Sequence, residues 1–196
     1  MNNEELQRFL PFGYIYLVVL GILKESIHYY YLDINILKYS SIMDILISPI
    51  ADITSYPVLL LILGSVLIIL ILLKKYILKN INTKFSKDLL KIKDNENLSK
   101  KEIEVRINRF LIGFYSAMLI SFFLGFGFSG GYSLAKKIKD GTINFEKHSK
   151  TINFNSDESK TVYVIDHNSS YYFYVEKGKN NIEICPIGSI KSIELN

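Results

Sequence analysis

Few side chains in this sequence of 196 residues could do chemistry. The histidines are His28, His148 and His167, and the single cysteine is Cys185. Glu25 and His28 stand at i and i+3, so a continuing helix puts a carboxylate and an imidazole on one face, as in half of a di-iron helix motif. The matching half and the extra lone glutamates are not evident, and the pair reads instead as a polar rim at the end of an apolar helix. Asp166-His167 falls at an expected hairpin turn, where Asp and Asn serve turn geometry. Cys185 forms no internal disulfide and no Cys-rich zinc site, and on an apolar strand it is a small core residue. No arginine lies four to six residues before a histidine, which excludes an Arg-x-x-x-x-His ribonuclease arrangement. Nucleotide, hydrolase and zinc-protease motifs are absent as well. We therefore expect no enzyme, no metal and no cofactor.

The most specific pattern is a ladder of small residues. Gly113, Ala117, Ser121, Gly125, Ser129 and Ser133 recur every fourth position, and Gly127, Gly131 and Ala135 form a second row. Within lipid, small residues at this spacing let two helix backbones approach closely. The neighbouring row of Phe110, Phe114, Met118, Phe122 and Phe126 is bulky and faces lipid or another helix. A four-residue row drifts by about 40° per step on a 3.6-residue helix, which suits a right-handed crossing. The partner is either a second copy of the chain or the chain's own earlier spans, which offer only Gly13, Gly21, Gly64 and Ser65. We favour self-association and name Gly113, Ala117, Ser121, Gly125, Gly127, Ser129 and Gly131 as oligomerisation or pore-lining candidates. The small polar groups there are the hydroxyls of Ser116, Ser121, Ser129 and Ser133, which fits a leak or gated constriction better than a selective filter.

Three apolar runs must carry these residues. Phe9–Leu23 ends at Lys24-Glu25, and Tyr29 to Tyr31 extend it into a span over 9–30. Glu4 and Glu5 against Arg8, with no small-x-small site following, favour a retained anchor over a cleaved leader. Val58–Leu73 predicts a second span over 54–73, closed by Lys74 and Lys75. Phe110–Ala135 has no charge and predicts a third over 108–135, closed by Lys136 and Lys137. Ser99 with Glu102 forms a capping box, so that helix starts about three turns earlier. Between the first two spans, Ile42, Ile45, Leu46 and Pro49 predict a short interfacial helix, with a fourth or re-entrant span as the alternative.

Charge orients the chain. Residues 24–56 carry two lysines against four acids, whereas the loop 74–109 carries nine lysines and two arginines against five acids. Basic loops stay in the cytoplasm, so the N-terminus and 74–109 are expected inside, and the C-terminal part outside. Lys136, Lys137 and Lys139 pull the other way. Lys79, Lys84, Lys87, Lys91 and Lys93 lie beside the bilayer, where anionic headgroups explain them better than nucleic acid does. Lys74, Lys75, Lys136 and Lys137 are the expected headgroup contacts.

Beyond Gly141 the apolar period changes from helical to alternating. Strands are predicted over Thr142–Glu146, Thr151–Asn155, Lys160–Asp166, Tyr171–Glu176, Asn181–Cys185 and Ser189–Leu195. The organisation expected is a helical membrane region over 1–140 followed by a small SH3/Sm-like β-barrel domain over 141–196. The stretches TVYVI, SSYYFYVE and NIEICPIGSIKSIEL resemble the β-domains after the last span of some bacterial membrane proteins, including the Sm-like domain of small mechanosensitive channels. The α/β domain that follows in those channels has no counterpart in these residues. Tyr29–Ile50 is similar to a segment of uncharacterised bacterial inner-membrane proteins, which implies the same location.

The function expected is a small bacterial inner-membrane protein, homo-oligomeric through its third span, forming a pore or permeabilising the membrane. Anti-phage systems supply an analogy for such effectors. The alternative is a membrane-tethered β-domain that binds a protein, peptide or lipid through the Tyr171-Tyr172-Phe173-Tyr174 strand, or a sensor or accessory subunit without a pore.

Overall fold

The computed structural model describes residues 3–92 and 98–195, in two units: residues 1–50 with 123–196, and residues 51–122. Lys93 lies outside the described residues, as do the side chains of Glu4, Glu5, Arg8 and His148.

Three helices are long and apolar enough to cross a membrane: α1 (Asn3–Tyr30), α3 (Pro57–Lys79) and α5 (Lys100–Lys139). Twenty-three residues of α3 extend about 34 Å, more than the hydrocarbon thickness. Pro57 occupies the first turn of α3, where its missing N–H is no loss. The capping box opens α5 as expected: Ser99 Oγ and N donate to Glu102 Oε2 at 2.6 and 2.8 Å, and Glu102 N donates back to Ser99 Oγ at 3.4 Å. Between α1 and α3 lies α2 (Ile42–Ser55), whose 14 residues reach only about 21 Å and fit the short helix rather than a fourth span. Its start is capped reciprocally by Ser41 and Asp44.

In the unit 51–122, α3 packs with α4 (Lys84–Leu90) and the first part of α5 around Ile77, Leu90 and Ile107. Lys74 pairs with Glu104 at 3.3 Å. Among the described residues, the basic stretch 74–109 is thus the end of α3 to Lys79, a turn, the short α4 and the first turns of α5.

In the other unit, α5 ends in a left-handed cap. Gly141 adopts φ +63°, its N–H reaches Ile138 O at 3.2 Å, and Thr142 N donates to Lys137 O at 2.9 Å. This corrects the first predicted strand, Thr142–Glu146. Thr142 is committed to the helix cap, and Phe145–His148 forms one helical turn, α6.

The strands that do form are β1 (Ser149–Phe154), β2 (Ser159–His167), β3 (Tyr171–Glu176), β4 (Ile182–Pro186) and β5 (Ile190–Leu195). They make one antiparallel sheet in the order β4-β3-β2-β1-β5. The sheet is open, with β4 and β5 at its two edges, so a small β-domain is present but not as the closed barrel expected.

Alternation along β3 builds two cores. Phe173 and Val175 point to the helices, packing with Tyr29, Leu32, Ile36 and Ile138. Tyr174 points to the opposite face with Ile152, Val162 and Cys185, so Cys185 is the core residue expected.

Candidate functional site

The second row of small residues is where α5 meets α1. A Cβ at Gly127 would lie 2.6 Å from the Lys24 carbonyl oxygen, and one at Gly131 would collide with that of His28. Both glycines are buried. Gly21 of α1 likewise leaves no room for a Cβ against the Ile45 carbonyl of α2. Part of the candidate set therefore serves contacts within the chain.

The first row behaves differently. Gly113, Ala117, Ser121, Gly125, Ser129 and Ser133 are all exposed on α5. A Cβ at Gly113 or Gly125 would meet nothing within 4 Å. Ser121 Oγ donates to Ala117 O at 2.9 Å, so its hydroxyl is satisfied along its own helix. The two rows, alike in sequence, occupy different environments.

Two charged side chains of the first candidate span meet a hydroxyl of α2. Lys24 and Glu25 are buried, each 8% exposed, within the candidate span Leu10–Tyr30. Lys24 Nζ donates to Glu25 Oε1 at 2.8 Å and to Ser48 Oγ of α2 at 3.2 Å, and Ser48 Oγ donates to the same carboxylate oxygen. A lone charge in hydrocarbon costs several kcal/mol, whereas here ammonium, carboxylate and hydroxyl compensate one another. α1 runs past Lys24-Glu25 to Tyr30, in keeping with the span expected over 9–30, and Ser48 of α2 meets the pair. His28 lies with α5 instead, its ring 3.1 Å from where a Cβ on Gly130 would stand.

Next along α1 comes the connection to the sheet. Tyr29, 1% exposed, packs on Phe173 (ring centroids 5.3 Å apart) and donates its hydroxyl to Asp166 Oδ2 at 3.0 Å. A register shift in β2 between Val164 and Asp166 makes this possible. Val164 stands opposite Tyr174 on one face, and Asp166 then stands opposite Phe173 on the helix side. Without the bulge, Asp166 would share the face of Val164 and point away from Tyr29. The β2–β3 turn holds the α1–α2 connector too. Asn168 Nδ2 donates to Tyr39 O at 3.1 Å, and Ser169 N and Oγ donate to Asp44 at 3.1 and 2.9 Å. Partial burial raises the Asp44 carboxyl, but the hydrogen bonds from Ser41 and Ser169 outweigh it and leave its pKa below the ordinary value. Asp166-His167 is thus part docking contact, part hairpin.

The β3–β4 surface carries a second charged group. Glu183 takes hydrogen bonds from Lys160 at 3.1 Å, Lys179 at 3.0 Å and Tyr174 Oη at 3.0 Å. Burial pushes its carboxyl up, yet these donors prevail and hold it at about 2. Burial, then the Glu183 contact, raises the Tyr174 phenol. The tyrosine strand expected as a recognition surface turns inward: Phe173 and Tyr174 are buried, and Tyr171 and Tyr172 are half-buried. Of the expected headgroup contacts, Lys75, Lys136 and Lys137 are exposed and Lys74 is half-buried on Glu104.

The buried ion pair, Ser48 and the Tyr29–Asp166 contact escape sequence reasoning. The available signal is an ionisable pair directly after an apolar run that is too short to span alone. Comparison with protein-family models, with curated proteins and with solved structures finds no match for this chain.

Proposed function

We propose that this is a multi-pass membrane protein that self-associates through the exposed small-residue row of α5 and forms a permeation path, with the β-domain as its cap or gate. The observation that carries the reading is the division of labour on α5. Gly127 and Gly131 are used against α1, which leaves Gly113, Ala117, Ser121, Gly125 and Ser129 facing outward with no bulky side chain among them. Small residues facing lipid gain nothing there, whereas a second helix could approach them closely.

The gate assignment rests on docking. A merely tethered module needs no fixed seat, but here Asp166, Asn168 and Ser169 bind α1, the α1–α2 connector and the first turn of α2 directly. A displacement of α1 therefore acts on the sheet. The same contacts support a topology in which the connector before α2 and the β-domain share one side of the membrane. The loop charge asymmetry supports a cytoplasmic N-terminus and 74–109 loop in a bacterial inner membrane.

The test is the mass of the purified protein in mild detergent, together with dye release from liposomes. The wild type should be an oligomer that releases dye, and the double variant Ser121→Leu/Gly125→Leu a folded monomer that does not. A wild-type monomer without leakage would favour the tethered module and overturn this reading.

A further inference from the structure

A cleft of about 820 Å³ opens beside the last turns of α5, the residues following α1 and the β3–β4 hairpin. Its charges are balanced: Lys136 and Lys139 line it together with Asp33 and Asp140. Among the described residues, none of these four side chains is held in an ion pair or a side-chain hydrogen bond. Two lysines and two aspartates that share a cleft without pairing are available to an outside partner of both signs. The amides of Asn180 and Asn181 add neutral donors and acceptors. An apolar flank continues from the cleft, where Tyr31 and Tyr132 meet edge to face at 5.9 Å.

The cleft stands where two candidate spans end, α1 at Tyr30 and α5 at Lys139. Paired tyrosines and lysines at span ends mark the depth of lipid headgroups. A purely anionic ligand such as free phosphate would gain from the lysines but be repelled by Asp33 and Asp140. A headgroup that carries a phosphate and a primary ammonium on one short linker satisfies both pairs. We propose that this cleft holds an aminophospholipid from the surrounding bilayer. Its phosphate is set toward Lys136 and Lys139, its ammonium toward Asp33 and Asp140, and its acyl chains leave along Tyr31 and Tyr132. The inference rests on the membrane reading alone and needs neither self-association nor a pore.

The experiment is native mass spectrometry of the full chain, delipidated in detergent and given phosphatidylethanolamine, phosphatidylcholine or phosphatidylglycerol of equal chain length. Phosphatidylethanolamine should bind about tenfold more tightly than phosphatidylcholine, whose quaternary ammonium has no N–H to donate, on the scale of one charge-assisted hydrogen bond. It should also exceed phosphatidylglycerol, which lacks the ammonium. The double variant Lys136→Gln/Lys139→Gln should weaken all three lipids through their shared phosphate, whereas Asp33→Asn/Asp140→Asn should abolish the preference of phosphatidylethanolamine over both phosphatidylcholine and phosphatidylglycerol. Equal retention of all three lipids by the wild-type protein, which requires no variant to fold, would overturn the proposal. So would a preference for phosphatidylglycerol, which marks simple attraction to anionic lipid. A chain that purifies without detergent would instead refute the membrane reading, so the two failures are distinct.

Discussion

The phenol of Tyr29, at the end of the first candidate span, donates a hydrogen bond to Asp166 on the sheet across 3.0 Å and 137 positions of sequence. Tyr29→Phe removes the donor and leaves an exposed carboxylate with one partner fewer. The expected loss is about 1 kcal/mol in unfolding free energy. A double-mutant cycle with Asp166→Asn, read by thermal unfolding in detergent, should give a coupling of about 1 kcal/mol. Strict additivity would mean that the two groups do not interact.

The glycines of α5 should divide by position rather than by motif. Gly127→Ala and Gly131→Ala drive a methyl into the α1 backbone and should cost about 1–3 kcal/mol. Gly113→Ala and Gly125→Ala meet open space in the protomer and gain up to about 1 kcal/mol of helix propensity. Melting temperatures of the four variants check this. Equal effects at all four positions would contradict the assigned crossing.

Within the span, Lys24→Met or Glu25→Gln alone leaves a buried group without its counterpart and should destabilise by about 3 kcal/mol or more. The double variant Lys24→Met/Glu25→Met should recover much of that, because no charge is left to desolvate. Folded yield from membranes and thermal unfolding report both. A double variant as poor as the worse single one would show that the ion pair itself is required.

Acid should loosen the sheet through Glu183. Its carboxyl titrates at about 2 in the fold against an ordinary value of 4.5, so the unfolded state binds more protons between those pH values. Stability from this group is therefore complete above about pH 4.5 and is lost as the pH falls toward about 2. Asp44, also lowered, adds in the same direction. Glu183→Gln should flatten the melting-temperature profile across that window, and an unchanged slope would contradict the network.

Local rules made much of this fold legible. Ser99 and Glu102 announce the start of α5 because a capping box involves four consecutive residues. Tyr171–Glu176 reads as a strand because its alternation feeds two cores. Thr142–Glu146 misleads for the same local reason: its composition suits a strand, but a glycine cap claims Thr142 first. The site depends on non-local geometry. Nothing near Lys24 foretells Ser48, and nothing near Tyr29 foretells a bulge that turns Asp166 toward it. The two rows of α5 share one spacing, and only the position of α1 separates Gly131 from Gly125.

The most direct measurement of self-association is cysteine cross-linking in native membranes, on a Cys185→Ala background. A disulfide needs Cα atoms within about 7 Å, so it reports close approach of two helices. Gly125→Cys and Ser129→Cys should give covalent dimers on mild oxidation, whereas Phe114→Cys, on the bulky row, should not. Cross-linking at Phe114 with none at Gly125 or Ser129, or no dimer at any position, would contradict the account.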